Sequence, residues 1–182
     1  KLDRATKIVN IIENLEGPAI SLSKLIVDKL NIIGMIPIKG SPTHFEGKNL
    51  LVESIAYLKK CNLISEIYVS TDNIETAKIA KDNGGLAPFI RPIELSSEDV
   101  GLPDVLKYSV EEIEKIRKVD LVVIVEENYP FRPKGLPNKL INNIIEGGYD
   151  TVCASIIEER SIWLDTQETI SSIGDNLMGS RS

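Results

Sequence analysis

One histidine and two cysteines are all that 182 residues offer of the side chains that most often hold transition metals. His44 alone excludes a histidine-based metal cluster. Cys61 and Cys153 lie far apart without ligating neighbours, so they read as reduced, partly buried thiols of a cytoplasmic protein. Positive charge is also short: 21 Lys and Arg face 27 Asp and Glu, a formal net charge of -6. Binding a phosphate backbone needs a basic face, so no nucleic-acid partner is expected. No apolar run approaches the ~20 residues that span a bilayer, which argues against a membrane partner. No charged segment leads into an apolar one as in a secretory leader. The length supports one sizeable core and falls short of two ordinary domains.

What is present is alternation. Ala5, Ile8, Ile11 and Ile12 sit at helical spacing before a Gly17-Pro18 stop, and "SLSKLIVDKL" reads as a second short helix capped by Ser21 or Ser23. Residues 1–31 are therefore expected to be a helical extension, and 32–182 the main domain. From Ile32 the pattern changes. Ile32 to Ile38 is expected to be a buried strand, followed by a helix within Gly47 to Leu63 that turns Leu51, Ile55, Ala56 and Leu58 inward. "SEIYVSTD" is a second strand and "NIETAKIAKDNGG" a helix ending at Gly84-Gly85. "APFIRP" reads as a short strand and "PDVLKYSVEEIEKIRK" as a long amphipathic helix. "VDLVVIVEE" is the most strand-like segment, "LPNKLINNIIEGG" another helix, and "DTVCASI" another strand. Apolar strands alternating with helices imply a mainly parallel sheet covered on both faces. Strands are expected at 33–38, 66–71, 120–126 and 151–156, with Val122 and Ile124 buried.

Ligands of such sheets sit beyond the carboxyl ends of the strands. The first such loop is "GMIPIKGSPTHFEGKN", from Gly34 to Asn49. Gly40 and Gly47 would let backbone approach a ligand, free N–H groups ahead of a helix attract anions, and Lys39 and Lys48 add charge. A polyphosphate suits this loop, and a plain surface turn is the alternative. The pattern is neither G-x-x-x-x-G-K-[ST] nor G-x-G-x-x-G, which weighs against a kinase-type phosphate loop and a dinucleotide fold. Asp72, ending "VSTD", could cap the next helix or take part in chemistry. Arg91 could meet a phosphate or carboxylate, or form a surface ion pair. Glu126 and Glu127 close the most apolar strand, where they would meet a hard cation or sugar hydroxyls, or else mark its emergence into water.

From about Ile32 to Trp163 these segments resemble the cytidylyltransferases that activate acidic sugars, of the CMP-N-acetylneuraminate synthetase kind. That family opens with a loop of the form IPARGGSKGIPGKN, matched here by Ile36-Pro37-Ile38-Lys39-Gly40 and Gly47-Lys48-Asn49. "EIYVSTDN" resembles its strand ending in VSTD, "FIRPIELSSED" its F-x-R-P-x-E-L segment, and "PDVLKYSVEEIE" its D-V-x-x-H-A helix. "VDLVVIVEENYPFRP" stands where the family has LLQPTSPLR, keeping Pro130 and Arg132. Differences fall within the motifs. The family's loop Arg is Lys39, its Gly-Ser-Lys is Ser41-Pro42-Thr43, and its Gln-Pro-Thr-Ser is Glu126-Glu127-Asn128-Tyr129.

The resemblance implies a three-layer α/β fold of the nucleotide-diphospho-sugar transferase type. It implies an enzyme that joins CTP to an N-acetylneuraminate-like acid, giving a CMP-sugar and pyrophosphate with Mg²⁺. A member that binds without turnover, or a KDO-type cytidylyl or guanylyl transferase, are the alternatives. Lys39 and Lys48 would be catalytic and would hold the triphosphate together with Gly40, Gly47, Asn49 and Arg91. Glu126 and Arg132 would meet the sugar. The family's metal-binding Asp belongs to a later segment, so the domain is expected to be truncated at its C-terminus, and the metal ligands are unassigned. A homodimer in the cytoplasm is the expected setting.

Overall fold

The computed structural model describes residues 29–97, 99–155, 162–165 and 170–173. The two helices expected within residues 1–28 therefore lie outside the described residues. The chain divides into two compact units, Lys1–Val152 and Cys153–Ser182.

The first unit is organised by β1 (Ile32–Ile38). Its β-branched residues favour extended backbone, and their alternate side chains feed two different cores. β1 lies between β4 (Glu66–Thr71) and β5 (Leu121–Ile124), parallel to both. Ile33 stands opposite Glu66 and Ile32 opposite Leu121. On one face Ile36 and Ile38 join Ile67 and Val69 beneath α1 (Leu50–Leu58) and α2 (Ile74–Asp82). On the other, Ile33, Met35 and Tyr68 pack against Ile113 of α3 (Leu102–Glu114). Ile141 of α4 (Leu136–Gly147) closes a third cluster over Ile32 and Cys61. This is the expected mainly parallel, three-layer arrangement. Gly34 belongs to the α1 face, where a Cβ would stand 2.9 Å from Leu58 Cδ1, so its lack of a side chain is a packing requirement.

Several expectations need correction. Ala56 is exposed, and buried Ser54 takes its place on the inner face of α1, its hydroxyl donating to Leu50 O at 2.7 Å. "APFIRP" forms no strand: the isolated bridge to Tyr68 is made by Leu86, just before it, although Arg91 N–H still reaches Thr71 O at 2.8 Å. Pro88 and Pro92 have no N–H with which to continue the ladder. β5 spans four residues rather than seven, and Ile124 is 44% exposed with Val122 half-buried. An edge strand has a neighbour on one side only, and β5 is an edge among the described residues. Residues 151–155 form no strand: Thr151, Cys153, Ala154 and Ser155 are exposed and bury no face. Of the two thiols, Cys61 is buried but Cys153 is exposed.

In the second unit, β6 (Ile162–Asp165) and β7 (Ile170–Ile173) pair antiparallel, Ile162 opposite Ile173. No helix among the described residues is long and apolar enough to cross a membrane.

The order β4-β1-β5 has a direct consequence for ligands. The chain leaves β1 towards β4 on one side and returns to β5 on the other. The carboxyl ends of β1 and β5 therefore flank a topological switch point, where open parallel sheets form their crevices.

Candidate functional site

The segment following β1 is less free than its glycines suggest. Gly40, at φ 65°, donates its N–H to Asp72 Oδ1 at 2.8 Å, and its carbonyl accepts from Thr76 Oγ1 at 2.7 Å. Three residues on, Thr43 N–H donates to Glu127 Oε1 at 3.0 Å. The chain then folds into a miniature hairpin of β2 (His44–Phe45) and β3 (Lys48–Asn49). Glu46 at φ 49° and Gly47 at φ 74° form its two-residue turn, with both central residues left-handed as a type I′ turn requires. Asn49 ends the hairpin and caps α1, its Oδ1 accepting from Leu51 and Val52 N–H at 3.0 and 3.2 Å.

Asp72 is not the cap of α2. Asn73 fills that place, accepting from Thr76 N–H at 3.0 Å, which leaves the Asp72 carboxylate free to hold Gly40. Burial would raise the Asp72 pKa. The Gly40 N–H, the Ser96 side chain, its own backbone N–H and the Arg91 charge outweigh burial and hold it below the usual carboxylate value. Arg91 is 4% exposed, with every N–H group engaged: Nη1 donates to Ser70, Nη2 to Ile38 O and Ser96 Oγ, and Nε to Ser96 Oγ. A guanidinium has five donors, and these partners use them. Burial lowers its pKa and Asp72 opposes that shift. Arg91 thus clamps the ends of β1 and β4 and supports the loop from behind.

Beyond β5, Val125 N–H continues the ladder to Met35 O at 2.9 Å. The two carboxylates that follow part company. Glu126 is exposed, whereas Glu127 is 6% exposed; its Oε1 holds Thr43 and its Oε2 is buried without a hydrogen-bond partner. Arg132 donates to Glu126 O and lies 5.4 Å from the centre of the Tyr57 ring, whose hydroxyl donates to Pro133 O at 2.9 Å. Burial lowers the Arg132 pKa, opposed by the charges of Tyr57 and Glu127.

Between the hairpin and this second loop lies a cleft of about 420 Å³. Thr43, His44, Phe45 and Leu50 form one wall, and residues 128–131 the other. Phe45 and Phe131 meet edge to face across it, with centroids 5.7 Å apart. It is open to solvent and its lining is largely apolar.

Of the residues chosen from sequence, Lys39 and Lys48 are exposed and make no ion pair among the described residues. Gly40 lies at the pinned base of the loop and Gly47 at the hairpin tip, so Gly47 serves the turn. Asn49 has its side-chain oxygen committed to a helix, and Arg91 is committed to strand ends. Glu126 and Arg132 share the loop after β5 and meet through a backbone contact. Sequence reasoning gave no role to Thr43, Thr76 or Phe45, and it named Glu127 beside Glu126 without showing that Glu127 braces the loop. Two adjacent glutamates gave no way to tell which points inward.

No three His, Cys, Asp or Glu stand together among the described residues, and the inward carboxylates, Asp72 and Glu127, each accept a loop N–H.

No protein-family model matches the chain, and no curated protein matches it in sequence. Solved structures do match in fold. CMP:2-keto-3-deoxy-manno-octonic acid synthetase, complexed with CTP, superposes with a TM-score of 0.53 at 17% identity. The match covers 65% of this chain and 48% of the synthetase, so the chain spans about half of that protein's length. The 4-diphosphocytidyl-2C-methyl-D-erythritol synthase of Anaerococcus prevotii gives a TM-score of 0.48 at 19% identity, over 67% of this chain and 54% of that one. The architecture shared with the first of these is the nucleotide-diphospho-sugar transferase type of α/β fold.

Proposed function

We propose that the chain carries the nucleotide-binding part of a cytidylyltransferase. The observation that carries this reading is the placement of exposed Lys39 and Lys48 on a pinned loop at the switch point of the sheet. Lys39 and Lys48 would neutralise the triphosphate, and Asp72, Arg91 and Glu127 would keep the loop in place. A hydroxyl oxygen of the acceptor would attack the α-phosphorus of CTP. The new O–P bond replaces the bond to the β-phosphate, pyrophosphate leaves with that electron pair, and the hydroxyl proton passes to solvent. Positioning and charge neutralisation supply the catalysis. The motif resemblance favours an N-acetylneuraminate-like acid as acceptor, with a KDO-type acid next. It also implies that Mg²⁺ accompanies the triphosphate and that the protein works as a homodimer, while the two unpaired cysteines suit a reducing cytoplasm.

A second reading is nucleotide binding without turnover. It is favoured by the occupation of two loop N–H groups, Gly40 and Thr43, by the protein's own carboxylates, where an anion would otherwise bind. A thermal-shift panel of CTP, GTP, UTP and ATP with Mg²⁺, followed by a pyrophosphate-release assay, separates the two. A nucleotide at a hundred times its Kd stabilises by about 2.7 kcal/mol. A CTP shift with pyrophosphate release supports the enzyme, a CTP shift alone supports the binding module, and no nucleotide shift rejects both.

A further inference from the structure

We propose that His44, with the Thr43 hydroxyl and the Asn128 amide, forms the subsite that holds the carboxylate of an acidic acceptor. This rests on the nucleotidyltransferase reading and names the residues of this chain that select the acid for it.

The chemistry of such acceptors fixes where a carboxylate subsite can be. In N-acetylneuraminate and in KDO alike, the carboxylate is attached to the carbon that bears the reacting hydroxyl. An acid poised for attack therefore brings its own negative charge close to the triphosphate. Its partner must belong to the loop that holds the phosphates, and must offer donors or positive charge. Two polar residues of that loop line the cleft, Thr43 and His44, and Asn128 belongs to the opposite wall. All three are exposed, so a ligand can reach them. Thr43 gives Glu127 its backbone N–H, which leaves its hydroxyl for a ligand.

Positive charge narrows the choice. Neither Lys nor Arg lines the cleft, and His44, the single histidine of the chain, is the one lining residue that can become a cation. Pairing of β2 with β3 sets His44 opposite Asn49 and Phe45 opposite Lys48, so one small hairpin carries both the lysine for phosphate and the imidazole for the acid. Across the cleft, Arg132 donates to the Glu126 carbonyl and lies over the Tyr57 ring, and its charge is coupled to that of Glu127. The charged groups of the elements around His44 are Lys39, Glu46 and Lys48 on its own loop, Glu53 in the first turn of α1, and Glu126, Glu127 and Arg132 after β5, with the Tyr129 phenol beside them. Carboxylates outnumber cations there, four against three, until the imidazole takes its proton. A histidine ordinarily does so between pH 8 and pH 5, where sugar acids stay ionised. Acid binding should therefore tighten as pH falls. The resembling loop form has Lys-Gly where this chain has Thr43-His44, so the cationic group stands one residue further along.

The test is binding of N-acetylneuraminate and of its uncharged methyl ester to the full chain without nucleotide, by titration calorimetry at pH 8 and pH 5.5. The wild type is expected to bind the acid at least about threefold more tightly at the lower pH, as an exposed ion pair allows, with no such gain for the ester. His44→Gln should remove the gain, and His44→Lys should hold the tighter binding at both pH values. The sole histidine also gives one set of imidazole proton resonances, whose titration midpoint should rise when the acid is added. A merely structural residue would move neither the acid-to-ester comparison nor that midpoint. Equal gains for acid and ester, acid binding that ignores pH, binding of neither probe, an unmoved midpoint, or an undiminished gain in a folded His44→Gln would overturn the proposal. The wild-type measurements decide the matter if a variant does not fold. A pH-dependent acid preference without a CTP-induced thermal shift keeps the subsite and rejects the nucleotidyltransferase reading. A CTP shift with acid and ester bound alike does the reverse.

Discussion

Asp72, at the end of β4, accepts the N–H of Gly40, just past the end of β1, at 2.8 Å. The contact fixes where the candidate phosphate loop begins and places a negative charge near buried Arg91.

Asp72→Ala should therefore cost more than an exposed carboxylate would. It strands the Gly40 N–H, worth about 1–3 kcal/mol, and takes a countercharge from Arg91. The pKa of Asp72 is depressed when folded, so its contribution is present above the unfolded value near 3.8 and is lost as pH falls through the lower folded value. Denaturant melts at pH 6, 4 and 3 should show this loss in the wild type. Asp72→Asn, which can still accept the N–H, should remove that part of the pH dependence.

Gly34→Ala should destabilise the domain by about 1–3 kcal/mol, because the added methyl meets Leu58 Cδ1 at 2.9 Å. Combining it with Leu58→Ala should recover part of the loss relative to the sum of the single changes. Urea midpoints of the four proteins form the double-mutant cycle that checks this.

Lys48→Ala and Lys39→Ala should each weaken CTP binding by about 1.5–3 kcal/mol if each makes a charge-assisted phosphate contact. Lys39→Arg should tighten it, since a guanidinium offers a bidentate fork in place of a point charge. Titration calorimetry with CTP and Mg²⁺ gives all three affinities. Unchanged values in both alanine variants would remove the loop from the nucleotide site.

Tyr68 reports on the opposite end of the sheet. Burial and its 2.6 Å hydrogen bond to Glu66 push the phenol from 10.0 up to about 12. A raised folded pKa favours the protonated form in the native state. The stability it supports is intact below pH 10 and is lost as pH climbs towards 12. Tyr68→Phe should flatten stability over that window, as read by denaturant midpoints at pH 9, 10 and 11.

Much of the fold was legible because its signals are local and repeated. The unbroken apolar run Ile32 to Ile38 and the 3.6-residue spacing of Leu51, Ile55 and Leu58 each determine one element. The strand ends were legible too, and with them the loops that leave the carboxyl ends of β1, β4 and β5. What escaped was pairing at a distance. Nothing near Gly40 announces that Asp72 will take its N–H, and nothing near Thr43 points to Glu127. Asn49 and Arg91 look like ligands in a motif, but their donors and acceptors are spent on a helix cap and on strand ends. The brevity of β5 was equally hidden, since Val122 and Ile124 are as apolar as any residue of β1 and differ only in what lies beside them.

The two anchors of the loop differ in how much chain each must close. Gly40 and Asp72 are 32 residues apart, Thr43 and Glu127 84 apart. Chain entropy makes the longer closure dearer by about 0.9 kcal/mol and slower to find. The first anchor belongs to a β1-α1-β4 unit with short connections, whereas the second waits for α3 to pack and bring β5 alongside β1. The two anchors are therefore expected to form in order: the Gly40 end is set by neighbours in sequence, and the Thr43 end is completed only when β5 pairs with β1.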